Sequence, residues 1–205
     1  MVPRVVLTDH VFPEESLVSL VREHMGAELE VHECLDEAGL IEITRNAEVV
    51  LLERAPITKN VIQQMRKARV IIRHGVGYDS IDVKAATEAG IMACNVTDYC
   101  TQEVADHAIA MLLALARSLF PLDREVRSGG WDVFAGAGKN RRIDGMTLGV
   151  IGFGNIGRAA GRRGAGFGMK VLAYDPYMDE AKIAAGGGKK VELEELLRES
   201  DMVTI

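Results

Sequence analysis

Residues 146–175 constrain this chain more than any other stretch. An apolar run at 147–151 reads as a buried strand. Gly152, Gly154 and Gly157 follow at the spacing G-x-G-x-x-G, and a second apolar run at 170–174 ends in Asp175. The order is strand, glycine turn, helix, strand, acid. Gly152 permits a tight turn from strand to helix. Gly154 leaves the backbone open to a pyrophosphate, and Gly157 lets the helix lie close to the sheet. Unpaired amides and the positive dipole end of the helix favour an anion there. A carboxylate about 20 residues on, at the tip of the next strand, can accept both ribose hydroxyls of NAD. Asp175 would repel the 2′-phosphate of NADP, so NAD is the expected cofactor.

At 205 residues the chain suits one large domain or two small ones. Its composition, 48% hydrophobic and 26% charged, is that of an ordinary globular protein. The net charge of -6, with no cluster of Lys or Arg, argues against nucleic acid as a partner. Cys34, Cys94 and Cys100 are odd in number and form no C-x-x-C pair. Neither a disulfide framework nor a metal site is expected, and a reducing cytoplasm fits. The N-terminus lacks the apolar core of a signal peptide. The longest apolar run, 108–116, falls short of the roughly 20 residues that a membrane span needs.

Strands are expected at 4–7, 28–31, 49–52, 70–72 and 91–93. Helices are expected at 14–25, 36–46, 59–67 and 83–89, the last capped by Asp82 and ended by Gly90. This alternation argues for a parallel sheet with helices on both faces. Residues 101–118 form the strongest helix pattern. Val104, Ala108, Met111, Leu112 and Leu115 make its expected apolar stripe, and Pro121 follows its end. It is either a connection packed at a domain or subunit seam or an ordinary buried helix. Residues 131–142 read as a polar, Gly-rich surface loop. Gly161, Gly164 and Gly166 inside the next helix each cost about 1 kcal/mol relative to Ala. They read as a helix that depends on tertiary packing. The Gly186–Gly188 run breaks a helix starting near Asp179. A helix at 192–199 and a strand from 201 follow, so the second sheet is expected to hold three strands.

Four places together resemble the D-isomer-specific 2-hydroxyacid dehydrogenase family. They are Arg73-His74-Gly75-Val76-Gly77-Tyr78-Asp79-Ser80-Ile81-Asp82; Asn95-Val96 with Glu103-Val104-Ala105-Asp106-His107; the Gly-Phe-Gly-Asn-Ile-Gly turn; and Tyr174-Asp175-Pro176. The resemblance covers nearly the whole chain. It implies an α/β protein of two doubly wound parallel-sheet domains: a flavodoxin-like substrate domain at 1–100 and a Rossmann NAD domain at 101–205, incomplete at its C-terminal end. The active site would lie in the cleft between them.

The resemblance also implies site residues. The amides of Gly75, Val76 and Gly77 would take the carboxylate of a small 2-hydroxy or 2-oxo acid, and permissive glycines can form an anion-binding nest. Arg54 either adds a cation for that carboxylate or is a solvated surface arginine. Gly152, Gly154, Asn155, Ile156, Gly157, Asp175 and Pro176 would contact NAD. Thr101 either touches the cofactor or caps its helix. Asn155 stands where many relatives carry Arg, which removes one positive charge beside the pyrophosphate.

Hydride transfer in the family needs an Arg that polarises the substrate, a His that moves the proton, and an acid that tunes the His. The motifs that carry all three lie downstream of residue 205 in the family. His107, one turn after Glu103, and His74, beside the substrate turn, do not replace them: the first reads as a solvated or seam position, the second as a cleft-lining one. No catalytic residue is therefore expected here, and these 205 residues alone are expected to be inactive. The complete protein is expected to be a homodimer. The alternative is a non-catalytic NAD-sensing interaction module like the family's corepressor branch. A different Rossmann enzyme is a third reading, and the Gly-Val-Gly-Tyr-Asp turn argues against it.

Overall fold

All five strands expected in the first hundred residues are present, and all pair in parallel. The structure is a computed structural model that describes residues 2–10, 15–132 and 140–205. The chain divides into two compact units, Met1–Tyr99 and Cys100–Ile205.

The first unit runs β1 (Val5–Leu7), α1 (Glu15–Met25), β2 (Leu29–Val31), α2 (Glu37–Thr44), β3 (Val49–Leu52), α3 (Lys59–Gln64), β4 (Val70–Arg73), α4 (Val83–Glu88) and β5 (Met92–Asn95). The strand order is β2-β1-β3-β4-β5. Successive strand residues point to opposite faces, so apolar runs bury both. Val6, Val50, Leu52 and Ile71 pack with Leu40, Val61, Ile62 and Ala86 on one face. Val5, Leu7 and Leu51 pack with Val21 of α1 on the other. Asp82 caps α4 by accepting from the Ala85 amide at 2.9 Å, and Asp36 caps α2 in the same way through Gly39 at 2.9 Å. Each such cap contributes about 1 kcal/mol.

The second unit runs α5 (Thr101–Ala116), α6 (Leu119–Arg127), β6 (Thr147–Ile151), α7 (Asn155–Gly166), β7 (Lys170–Tyr174), α8 (Glu180–Ala185), β8 (Lys189–Lys190), α9 (Leu193–Glu199) and β9 (Met202–Thr204). Its sheet has the order β8-β7-β6-β9, again all parallel. Four strands replace the expected three. β8 is two lysines long and carries no apolar pattern. Pro121 follows the end of α5, as expected, and it also sits in the first turn of α6, where its missing N–H is not needed. Ser118, at φ 50°, turns the chain between α5 and α6, whose axes differ by 64°. The loop expected at 131–142 falls in part on 133–139, which lie outside the described residues.

The stripe expected on α5 is corrected. Val104, Met111 and Leu115 are exposed. The buried face is Thr101, Ala105, Ile109, Leu112 and Ala116. Small residues win because α5 lies against α7, where Ala105 meets Ala159 and Ala160. Arg163 fastens the same pair, donating to Asp106 at 2.5 Å and to Gln102 at 3.0 Å.

The glycines that weaken α7 also have a reason. A Cβ on Gly164 would lie 2.5 Å from Leu148 of β6, and one on Gly161 would lie 3.3 Å from both Phe153 and Val171. Gly186 and Gly188 leave room for the same Phe153 ring, at 2.8 and 2.9 Å from their missing Cβ atoms. Phe153 is fully buried in that glycine-lined slot. The helix propensity lost at these positions is offset by close packing on the sheet.

Among the described residues no single helix is long and apolar enough to cross a membrane. Among them, too, no group of three His, Cys, Asp or Glu side chains is placed to hold a metal.

Candidate functional site

In the first unit the sheet order changes direction between β1 and β3, and ligands of such sheets bind beyond the C-terminal ends of the strands there. Asp9 follows β1 and has no solvent exposure. Its carboxylate accepts from the amides of Glu53 (3.1 Å), Arg54 (2.8 Å) and Ala55 (3.1 Å), and from the Thr8 hydroxyl (3.1 Å). Burial pushes its carboxyl up, but the amides of Arg54, Glu53 and Ala55 and the Thr8 hydroxyl outweigh this and hold it below the usual carboxylate range. Asp9 is thus an internal anion that fixes the segment after β3. Arg54 rides on that segment. Its side chain is half exposed, with Nε 3.5 Å from Asp9 Oδ2.

Arg73, the last residue of β4, joins this segment to the next. Its Nε donates to the Glu53 carbonyl at 3.0 Å and its Nη1 to the Gly77 carbonyl at 3.1 Å. The structure therefore brings Arg54 and the Gly75–Val76–Gly77 turn to one edge of the sheet through a shared guanidinium. The glycines do not act as expected. Neither Gly75 nor Gly77 has a positive φ, so the turn is not the αR–αL nest that permissive glycines would form. Gly75 is needed for space: a Cβ there would overlap the Arg73 guanidinium. His74 is half-buried beside the turn.

In the second unit Gly152 has φ 84°, a conformation that a side chain would strain. Its amide donates to the Tyr174 carbonyl at 2.8 Å, which ties the turn to β7. A Cβ on Gly157 would overlap the carbonyl oxygen of Gly152, so helix and turn touch at backbone distance. Gly154 is exposed, with nothing within 4 Å of its missing Cβ. The amides of Asn155 and Ile156 have no acceptor among the described residues, as in the first turn of any helix. An open glycine before free first-turn amides fits a diphosphate.

Asp175 is 8% exposed. Its Oδ2 accepts from the Phe153 amide and its Oδ1 from the Tyr177 amide, both at 2.8 Å. The carboxylate thus binds the glycine turn itself, and each oxygen keeps a second lone pair. Pro176 beside it is exposed. Thr101 is not the cap of α5; Cys100 holds that position, and Thr101 is the first, buried helical residue. His107 is exposed.

Three groups escaped the sequence reading. Asp9 lies 44 residues from the first amide it holds, and a lone acid after a strand gives no local sign of that. Arg73 opens the Arg-His-Gly-Val-Gly stretch, and nothing local gives it a role. Arg158 reaches back one turn, donating to Asn155 Oδ1 at 2.6 Å and to the Gly154 carbonyl at 3.3 Å. It restores a guanidinium beside the turn, where Asn155 supplies none. Its spacing of three from Asn155 is the signal that could have found it.

Residues 109–205 match the family described as D-isomer specific 2-hydroxyacid dehydrogenase, NAD binding domain. A glyoxylate reductase from Korarchaeum cryptofilum (strain OPF8) is 39% identical over 209 residues, covering 100% of this chain and 62% of the relative. A D-3-phosphoglycerate dehydrogenase from Archaeoglobus fulgidus is 35% identical over 192 residues, covering 93% of this chain and 36% of that protein. The crystal structure of D-lactate dehydrogenase from Aquifex aeolicus, complexed with NAD and lactic acid, superposes with a TM-score of 0.82 at 28% identity. That match covers 97% of this chain and 59% of the other. The chain thus spans less than two thirds of the length of these relatives. With the glycine turn and the acid after β7 in place on a parallel sheet, residues 109–205 belong to the NAD-binding domain of the D-isomer specific 2-hydroxyacid dehydrogenase family, and the chain is similar along its whole length to the glyoxylate reductase above.

Proposed function

We propose that this protein is an NAD-dependent oxidoreductase acting on the CH–OH group of a small D-2-hydroxy acid, or reducing the matching 2-oxo acid. The backbone at Gly152, Gly154, Asn155, Ile156 and Gly157 would hold the diphosphate, with Arg158 adding charge. Asp175, flanked by Pro176, would hold the adenosine ribose, and Thr101 would sit against the cofactor. The first unit would act as the substrate domain, with Gly75, Val76 and Gly77 on the carboxylate and Arg54 as an added cation. NAD would supply the hydride acceptor. The observation that carries the reading is the glycine turn: φ 84° at Gly152, Gly157 at backbone contact, and a buried carboxylate bonded to the residue between the first two glycines.

The family resemblance assigns proton transfer to none of the residues named above, and we propose that these 205 residues by themselves bind cofactor without turning over. The protein would work as a homodimer in the cytoplasm, a reducing compartment that three free cysteines suit. Calorimetric titration with NAD and NADP tests the cofactor assignment, and NADH oxidation with glyoxylate, pyruvate and hydroxypyruvate tests the rest. NAD should bind more tightly than NADP, with no turnover. Equal affinity for the two would overturn the role of Asp175. Robust turnover would return the proton role to His74 or His107.

A further inference from the structure

We propose that Arg73 and Asn95 are the positioning residues that make the Gly75–Val76–Gly77 turn an anion receptor; this rests on the carboxylate reading of that turn given above. All three carbonyls of the turn are tied down from one side or another. The Gly75 carbonyl accepts from the Val96 amide at 3.1 Å. The Val76 carbonyl accepts from Asn95 Nδ2 at 2.7 Å. The Gly77 carbonyl accepts from Arg73 Nη1 at 3.1 Å. The amides of Val76 and Gly77 have no acceptor among the described residues.

A peptide unit is planar, so holding its carbonyl also fixes where the N–H of the following residue points. Tethering the Gly75 carbonyl aims the Val76 amide the opposite way, and tethering the Val76 carbonyl does the same for Gly77. Positive-φ glycines usually achieve such convergence, but this turn has none. Here the Val96 amide orients the Val76 N–H, the Asn95 side chain orients the Gly77 N–H, and Arg73 holds the far end of the turn by the Gly77 carbonyl. These tethers also remove the partial negative charge of three carbonyl oxygens from competition with an incoming carboxylate, because each oxygen faces a donor.

Arg73 has a second part. Its guanidinium bridges the Glu53 and Gly77 carbonyls and lies 3.7 Å from the Glu53 carboxylate. The planar fork is what spans the two carbonyls; a lysine ammonium at the same place is a point donor and cannot hold both in fixed directions. The overlap that a side chain at 75 would make with this guanidinium accounts for the glycine. Asn95 ends β5, directly opposite Arg73 in the parallel ladder. The last residues of two neighbouring strands thus clamp one turn between them.

The test is a titration of the ¹⁵N-labelled 205-residue chain with glycolate, using neutral glycolamide as the control. In the unmutated chain glycolate should move the Val76 and Gly77 amide resonances, and glycolamide should not. The Asn95 side-chain amide should move with them. Asn95→Leu removes the donor at similar size without changing charge, and Arg73→Lys keeps the charge without the fork. Each should weaken glycolate binding at least fivefold while the resonances of β1 and β3 stay in place. Wild-type affinity in both variants would overturn the positioning role and leave the carboxylate reading intact. No glycolate shift at residues 76 and 77 in the unmutated chain would overturn the carboxylate reading and this inference with it. An Asn95 side-chain resonance that stays fixed while the turn responds would overturn the inference without any variant.

Discussion

Three alanine substitutions along α7 separate helix propensity from packing. Alanine is favoured over glycine in a helix interior by about 1 kcal/mol, so propensity alone predicts the same stabilisation at every position. The structure predicts three different answers. Gly166 has nothing within 4 Å of its missing Cβ, so Gly166→Ala should gain up to about 1 kcal/mol and raise Tm by about 2–4 °C. At Gly161 the new methyl would stand 3.3 Å from Phe153 and from Val171. Both neighbours must give slightly, and the substitution should be close to neutral. At Gly157 the new methyl would overlap the Gly152 carbonyl oxygen and lie 3.1 Å from Val150 Cγ1. The obstruction is backbone, and Gly152 is held at φ 84° with its amide bonded to Tyr174. Overpacking of this kind costs about 1–3 kcal/mol, which exceeds the propensity gain. Gly157→Ala should therefore melt several degrees lower. It should also bind NAD more weakly, because relief of the clash moves the turn. Calorimetric melts and an NAD titration at 25 °C measure both effects. Equal Tm shifts at the three positions, or a Gly157→Ala chain with unchanged Tm and affinity, would refute the packing argument.

Asp9→Asn leaves one oxygen to serve three amides and should cost about 1–3 kcal/mol at neutral pH. The folded Asp9 carboxyl titrates below its unfolded value of about 3.9, so its contribution is present above about pH 4 and is lost as pH falls through the folded value. Urea unfolding across pH should show the variant and the parent converging below about pH 4; a constant gap would refute this. Asp175→Asn should weaken NAD about tenfold or more, since a hydrogen bond to a charged group is worth about 1.5–3 kcal/mol; unchanged calorimetric affinity would count against it. Phe153→Ala empties the glycine-lined slot and should cost about 3–5 kcal/mol in urea unfolding of the second unit. A loss below about 1 kcal/mol would mean that the glycines do not hold the ring.

Much of the architecture was legible from local pattern. Strands buried on both faces write themselves as continuous apolar runs, which is why 49–52 and 147–151 stand out. Asp82 and Gly152 announce a cap and a turn because their chemistry is local. The missed elements lack such a signature. β8 is Lys189–Lys190, a strand only because β7 offers it a pairing edge. The α5 stripe misled in all but Leu112 because a face that mixes Thr101, Ala105 and Ala116 with Ile109 looks less apolar than one of Leu, Met and Val, yet the small Ala105 is what meets Ala159 and Ala160 of α7.

The amino-acid order alone therefore determined the alternating α/β plan, the glycine turn after β6 and the acid after β7, since each is encoded within about 30 residues. Tertiary structure alone decided which partner each polar group found. Asp9 holds amides 44 to 46 residues away, Arg73 bridges two turns, and Phe153 fills a slot lined by glycines up to 35 residues later. Such pairings follow from strand order and helix packing, which bring together segments whose separation along the chain carries no mark of their meeting.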